Sequence, residues 1–162
     1  MIKIHKAKVE DALEIKKLLH KTWTATYSNI YSPEAIETVI SEWHSLKFLK
    51  KQIQDPDTFF LIAKDGDIIV AMCNASLTHE SKAVNIQRLH VLSNYQRQGI
   101  GSMLVIEVIK SFPNVSKIEL EVEKQNLRAQ AFYKKHGFKS SGEKVFEVKN
   151  VRMECFVMEK TV

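Results

Sequence analysis

The sequence predicts an α/β domain with about seven strands, and three features carry that reading. Segments that alternate apolar and polar residues are interleaved with segments whose apolar residues recur at helical spacing. A pair of glycines, Gly99 and Gly101, sits where an alternating run hands over to a helical one. The chain has 162 residues, 44% of them hydrophobic, enough to fill one core, so residues 1–162 are expected to form a single domain.

Taken in order, Ile2 to Lys8 reads as a first strand and Val9 to Trp23 as a helix with Ala12, Ile15, Leu19 and Trp23 on one side. Ser32-Pro33-Glu34 combines an N-cap, a first-turn proline and a first-turn acid, and opens a helix carrying Ile36, Val39, Ile40 and Trp43. A short third helix runs through Leu46, Leu49 and Ile53 until Asp55-Pro56-Asp57 breaks it. Phe59 to Ala63 and Ile68 to Leu77 read as strands joined by a tight turn at Asp65-Gly66. Ala83 to Val91 alternates as a strand, and Ile100, Met103, Leu104 and Val108 begin a long helix that reaches Phe112. Ile118, Leu120 and Val122 mark the next strand, Asn126 to His136 a helix, and two strands near Lys139 to Val148 and Val151 to Lys160 close as a hairpin.

Composition excludes several function classes. The net charge of +5 is spread over pairs such as Lys16-Lys17, Lys50-Lys51 and Lys134-Lys135 in helix-like segments, with no aromatic-rich basic strand, so no nucleic acid partner is expected. The polar start Met1-Ile-Lys-Ile-His-Lys-Ala-Lys and the lack of a long apolar run predict no signal peptide and no membrane span, and hence a cytoplasmic protein. Cys73 and Cys155 lie in strand-like runs without metal-ligand spacing; they read as core residues, and no metal is expected.

Gln96-Arg97-Gln98-Gly99-Ile100-Gly101-Ser102 contains no acidic residue and leads into a helix N-terminus. Unpaired backbone N–H groups and the positive end of the helix dipole converge there, and residues without a Cβ let a diphosphate approach the main chain. Arg97 adds a charge beside that point. The loop lacks the terminal Gly-Lys-Ser/Thr of a nucleotide-binding P-loop and the third glycine of a dinucleotide fingerprint.

Gln96-x-x-Gly99-x-Gly101 resembles the Gln/Arg-x-x-Gly-x-Gly/Ala signature of the GNAT superfamily, the acyl-CoA-dependent N-acyltransferases. One helix and one strand further on, Glu121 to Phe138 is similar to that family's pattern of strand, Asn126, helix, Phe132-Tyr133 and Gly137-Phe138. Both signatures lie within residues 84 to 138, in the family's order. The resemblance implies a mixed, mostly antiparallel sheet with helices on both faces and two strands splayed apart at the cofactor site. It implies acetyl-CoA as co-substrate, with its pantetheine arm along the backbone of Leu89, His90 and Val91. The loop from Gln96 to Ser102 would take the diphosphate, through Arg97, Gln98, Gly99, Ile100 and Gly101, and Asn126 would bond the arm. Tyr133 would lie at the cofactor sulfur as the general acid.

The reaction explains these residue types. An amine attacks the thioester carbonyl, an oxyanion needs a backbone donor at Leu89 or Val91, and a phenol with a pKa near about 10 can protonate the departing thiolate. Many family members carry a glutamate on the strand before the loop, yet Asn85 and Gln87 stand there, leaving a water chain, His90, His79 or Glu80 as ways to remove the amine's proton. Trp23, Tyr27 and Tyr31 resemble the corresponding part of the spermidine and spermine N-acetyltransferase branch. They would form an aromatic acceptor pocket for a small-molecule amine, aided by Glu34, Glu37 or Glu42, or else simply anchor two helices. A protein or peptide acceptor, or a non-catalytic acyl-CoA-binding regulator, are the alternatives. The chain is expected as a monomer or a homodimer.

Overall fold

The structure, a computed structural model, describes residues 1–162. Seven strands form one sheet in the order β1-β2-β3-β4-β5-β7-β6. They are β1 (Ile2–Lys6), β2 (Thr58–Asp65), β3 (Ile68–Thr78), β4 (Ala83–Val91), β5 (Lys117–Glu123), β6 (Lys139–Val148) and β7 (Val151–Thr161). Five helices accompany them: α1 (Ala12–Tyr27), α2 (Pro33–Trp43), α3 (Leu46–Gln54), α4 (Ile100–Ser111) and α5 (Leu127–Lys135). All neighbours are antiparallel except β4 and β5, so the mixed, mostly antiparallel sheet is as expected.

Local chemistry sets the helix starts. Ser32 accepts from the Ala35 amide at 3.1 Å and Ser45 from that of Phe48 at 3.2 Å, each satisfying a first-turn donor that has no intrahelical partner. The largest departures from the sequence reading are in β1 and α1. β1 stops at Lys6, followed by a 3₁₀ turn over Val9–Asp11 that delays α1 to Ala12; α1 then runs on to Tyr27, since Thr24-Ala25-Thr26 contains no breaker.

Helices cover both faces. On one side α4 buries Ile100, Leu104, Val105 and Val108 against Val84, Ile86, Ile118 and Leu120. On the other, α1 and α3 bring Ile15, Leu19 and Leu49 onto Phe60, Ile62 and Met72. A third cluster joins Trp23 and Tyr27 of α1 and Ile36, Val39 and Ile40 of α2 to the β6–β7 hairpin. No helix is long and apolar enough to cross a membrane.

Two irregularities interrupt the pairing of β4. Its register with β3 shifts between Asn74↔Arg88 and Ala75↔Ile86, which leaves Gln87 as an extra residue, a β-bulge. Before it Val84 and Ile86 face the α4 core; after it Leu89 and Val91 do, and Arg88 turns toward α3. Second, β4 pairs with β5 only from Ala83↔Lys117 to Ile86↔Leu120, and beyond that point the strands part.

Candidate active site

A cleft of about 1750 Å³ opens at this fork and extends under α1 and α2. Gly99, with φ +82°, is the N-cap of α4. A residue bearing a Cβ would be held there at a cost of about 1–2 kcal/mol. At Gly101 an added Cβ would meet Phe132 Cζ at 3.3 Å, so α4 and α5 pack closely because that position is bare. None of the amides from Arg97 through Ser102 donates to another protein group, and the first bond of the turn is Met103 N–H to the Gly99 carbonyl at 3.0 Å. Arg97, itself at φ +61°, lines the cleft together with Arg128 and Lys135 of α5. A row of unpaired donors among cations fits an anionic diphosphate.

Most of the loop expected from the sequence is brought together here, with two differences of detail. Gln96 lines the cleft but spends its side-chain amide on the Val91 carbonyl at 3.0 Å, tying loop to strand. The Gln98 side chain turns away to the Asn94 carbonyl at 3.1 Å and does not line the cleft. Leu89, His90 and Val91 line it on the free edge of β4. Opposite, Asn126 caps α5 by accepting from the Ala129 amide at 3.1 Å, and its side-chain amide N–H group faces the Tyr27 hydroxyl in the cleft.

Tyr133 lies on the same wall, 8% exposed, between Phe132 and Phe138 at ring distances of 5.3 and 5.6 Å. Its hydroxyl has no protein partner, and burial pushes its pKa far above the ordinary phenol value, so it carries its proton at any physiological pH.

The acceptor end departs more from expectation. Trp23 and Tyr27 line the cleft but also belong to the core, their rings 4.3 Å apart. Tyr31 stands behind them, outside the cleft, and donates its hydroxyl proton to Glu123. Glu34, Glu37 and Glu42 do not line it; Glu37 pairs with His20 at 2.7 Å and Glu42 with Lys149 at 2.9 Å on the surface. His79 and Glu80 are exposed and likewise outside.

The acids come instead from β5. Alternate residues of a strand face opposite ways, so Ile118, Leu120 and Val122 enter the α4 core while Glu119, Glu121 and Glu123 line the cleft. Glu121 accepts from Asn85 Nδ2 at 3.2 Å and pairs with Lys144 at 3.6 Å. Glu123 is 3% exposed, and its second oxygen accepts from the Gln125 amide at 3.2 Å. The signal for this row was present in Lys117-Ile-Glu-Leu-Glu-Val-Glu, whose apolar half marked the strand.

Below the fork, Arg88 donates to Gln52 Oε1 at 2.7 Å, Asn74 Oδ1 at 3.3 Å and the Trp43 carbonyl at 2.7 Å, bracing β4 against the join of α2 and α3. Burial lowers its pKa to about 10. Beside it, burial lowers His44 to about 2 and His90 to about 3, with Arg88 adding to both shifts. His44 is 1% exposed and its Nδ1 has no hydrogen-bond partner.

These two rings stay neutral in the folded protein while the unfolded chain takes up their protons below about 6.5. Stability is therefore complete above that pH. It falls as the pH drops from there toward 3, by up to about 1.4 kcal/mol per pH unit for each ring. Urea unfolding between pH 7 and pH 4.5 checks this: His90→Gln should roughly halve the slope, and an unchanged slope would assign the acid loss to other groups.

Residues 15–138 match the acetyltransferase (GNAT) family. Over 165 aligned positions the chain is 28% identical to the spermidine N(1)-acetyltransferase of Thermoplasma acidophilum, covering 98% of this chain and 96% of that protein. The crystal structure of PaiA N-acetyltransferase from Thermoplasma acidophilum in complex with coenzyme A superposes with a TM-score of 0.84 at 27% identity, covering 100% and 99% of the two chains. The ribosomal-protein-S18-alanine N-acetyltransferase of Escherichia coli shares the fold, with a TM-score of 0.75 at 17% identity over 100% and 94% of the chains.

Proposed function

We propose that this chain, which belongs to the acetyltransferase (GNAT) family, passes the acetyl group of acetyl-CoA directly to a primary amine of a small polycation of the polyamine class. The acetyltransferase activity follows from the family. The acceptor class is our reading, and the carboxylate row Glu119, Glu121 and Glu123 carries it. A strand rises about 3.3 Å per residue, so same-face neighbours stand ~7 Å apart, a spacing close to that of nitrogens separated by four methylenes. Trp23 and Tyr27 add aromatic faces for the cationic chain. The charge of the cleft is thus divided, with Arg97, Arg128 and Lys135 at the donor end and the three carboxylates at the β5 end, where a polycation would compete with Lys117 for Glu119 and with Lys144 for Glu121. The name of the Thermoplasma acidophilum relative supports the same class.

In this reading the amides from Arg97 to Ser102 grip the diphosphate, Asn126 and the free edge of β4 at Leu89 to Val91 hold the pantetheine arm, and a β4 amide stabilises the oxyanion. Glu123 takes the proton of the bound ammonium, directly or through one water. The free amine attacks the thioester carbon, the C–S bond breaks, and Tyr133 gives its proton to the thiolate. The amide nitrogen's second proton leaves to solvent, and the tyrosinate is reprotonated. No covalent enzyme intermediate is formed.

Thiol release from acetyl-CoA, followed with spermidine, spermine, butylamine, lysine and an N-terminal peptide, tests the acceptor class. Spermidine should exceed butylamine in kcat/KM by about tenfold or more, and Glu119→Gln together with Glu121→Gln should erase most of that advantage while leaving the acetyl-CoA KM unchanged. Equal turnover of the monoamine would remove the polyamine reading; preference for the peptide would replace it.

A further inference from the structure

His136 caps the C-terminal end of α5 and does not line the cleft, yet its Nε2 lies 2.9 Å from the Oγ of Ser102, which does. The ring is held in place. It packs on Phe132 with centroids 4.5 Å apart, and the residue's own carbonyl accepts from Lys160 Nζ at 2.8 Å. Ser102 is in the first turn of α4, where the backbone donors before Met103 are unspent.

A serine hydroxyl has one proton, and the contact with His136 decides where it points. If Ser102 donated to the ring, its oxygen would meet a bound diphosphate with lone pairs alone. If the ring donates Nε2–H to Ser102, the hydroxyl proton is free to join the row of donors. An anion in the cradle selects the second arrangement. Burial, Lys160 and Lys135 all push the imidazole pKa below its ordinary value, so at neutral pH the choice is between two neutral tautomers.

We infer that His136 is a positioning residue for the donor substrate: by giving Nε2–H to Ser102 it turns the serine hydroxyl toward the diphosphate of acetyl-CoA. The inference rests on the diphosphate cradle of the proposed function, and its test separates the two. Calorimetric binding of coenzyme A and steady-state kinetics are compared for Ser102→Ala, His136→Phe, His136→Gln and the Ser102→Ala/His136→Phe pair.

Ser102→Ala should weaken coenzyme A binding by about tenfold, the scale of a hydrogen bond to a charged group, and His136→Phe by about fivefold. In both, the acetyl-CoA KM rises more than kcat falls. His136→Gln, whose amide N–H can take the place of Nε2–H, should recover most of the loss, and His136→Phe should add nothing once Ser102 is Ala. The imidazole ¹⁵N shifts of the parent protein with coenzyme A should report Nε2 protonated and Nδ1 bare.

Full additivity in the double variant, or no loss in His136→Phe while Ser102→Ala is impaired, overturns the positioning role and leaves the cradle standing. Unimpaired binding in Ser102→Ala overturns both.

Discussion

Tyr133→Phe lowers kcat by more than about tenfold while coenzyme A affinity stays within about twofold of the parent, as expected for a group that acts on the leaving sulfur and contributes little to holding the cofactor. The expectation rests on three properties of one hydroxyl. It faces the cleft, no protein acceptor competes for its proton, and its burial between Phe132 and Phe138 disfavours the tyrosinate. The raised pKa keeps the acid form available throughout the neutral range, so ionisation of Tyr133 produces no alkaline loss of activity below about pH 10. Phenylalanine keeps the packing, which makes the comparison clean. Full activity in the variant would mean that the thiolate leaves unprotonated or finds its proton in water.

Glu123→Gln lowers kcat/KM at neutral pH by about a hundredfold or more, the scale of a lost general base. Other candidates fall away on physical grounds. Asn85 and Gln87 are amides; burial leaves His44 and His90 with pKa values of about 2 and 3, too low to hold a proton taken from an ammonium ion. Glu121 is ion-paired with Lys144, whereas the two partners of Glu123 are neutral donors. Glu123 lines the cleft beyond the point where β4 and β5 part, held by Tyr31 and the Gln125 amide. Glutamine is nearly isosteric and can still accept from Tyr31, so the fold should survive, which thermal unfolding would verify. Tyr31→Phe, which leaves the carboxylate in place, should cost only a few-fold. If Glu123→Gln retained the rate, the proton would have to leave by another route.

The legibility of the chain tracks the range of its interactions. The bounds of Ala83 to Val91 were readable because alternation is a local signal, whereas the bulge that shifts the core-facing positions beyond Ile86 was not. The cradle was readable because its glycines answer a backbone requirement that only nearby residues set. Tyr31 was picked out as aromatic and near the acceptor, but its bond to Glu123 joins positions 92 apart in sequence, and no spacing rule reaches that far. The carboxylate row was hidden by its own strand, since Ile118, Leu120 and Val122 identify β5 and the residues between them serve only to confirm the alternation. Glu34, Glu37 and Glu42 were closer to the aromatics along the chain, yet α2 turns their side chains outward, because Ile36, Val39 and Ile40 claim its inner face.

The extra residue at Gln87 gives β4 two reading frames. Up to Ile86 the even positions serve the α4 core, and from Leu89 the odd ones do, so Arg88 and His90 fall on the acceptor side only because one residue goes uncounted. A substitution anywhere in the strand changes what is presented and leaves the frame intact. Straightening the bulge with every residue retained would slide the frame, sending Arg88 and His90 toward the core and Leu89 and Val91 away from it. The strand therefore keeps its two faces only while one residue between Ile86 and Arg88 stays out of the pairing, a constraint that bears on any attempt to alter the acceptor by grafting segments between relatives.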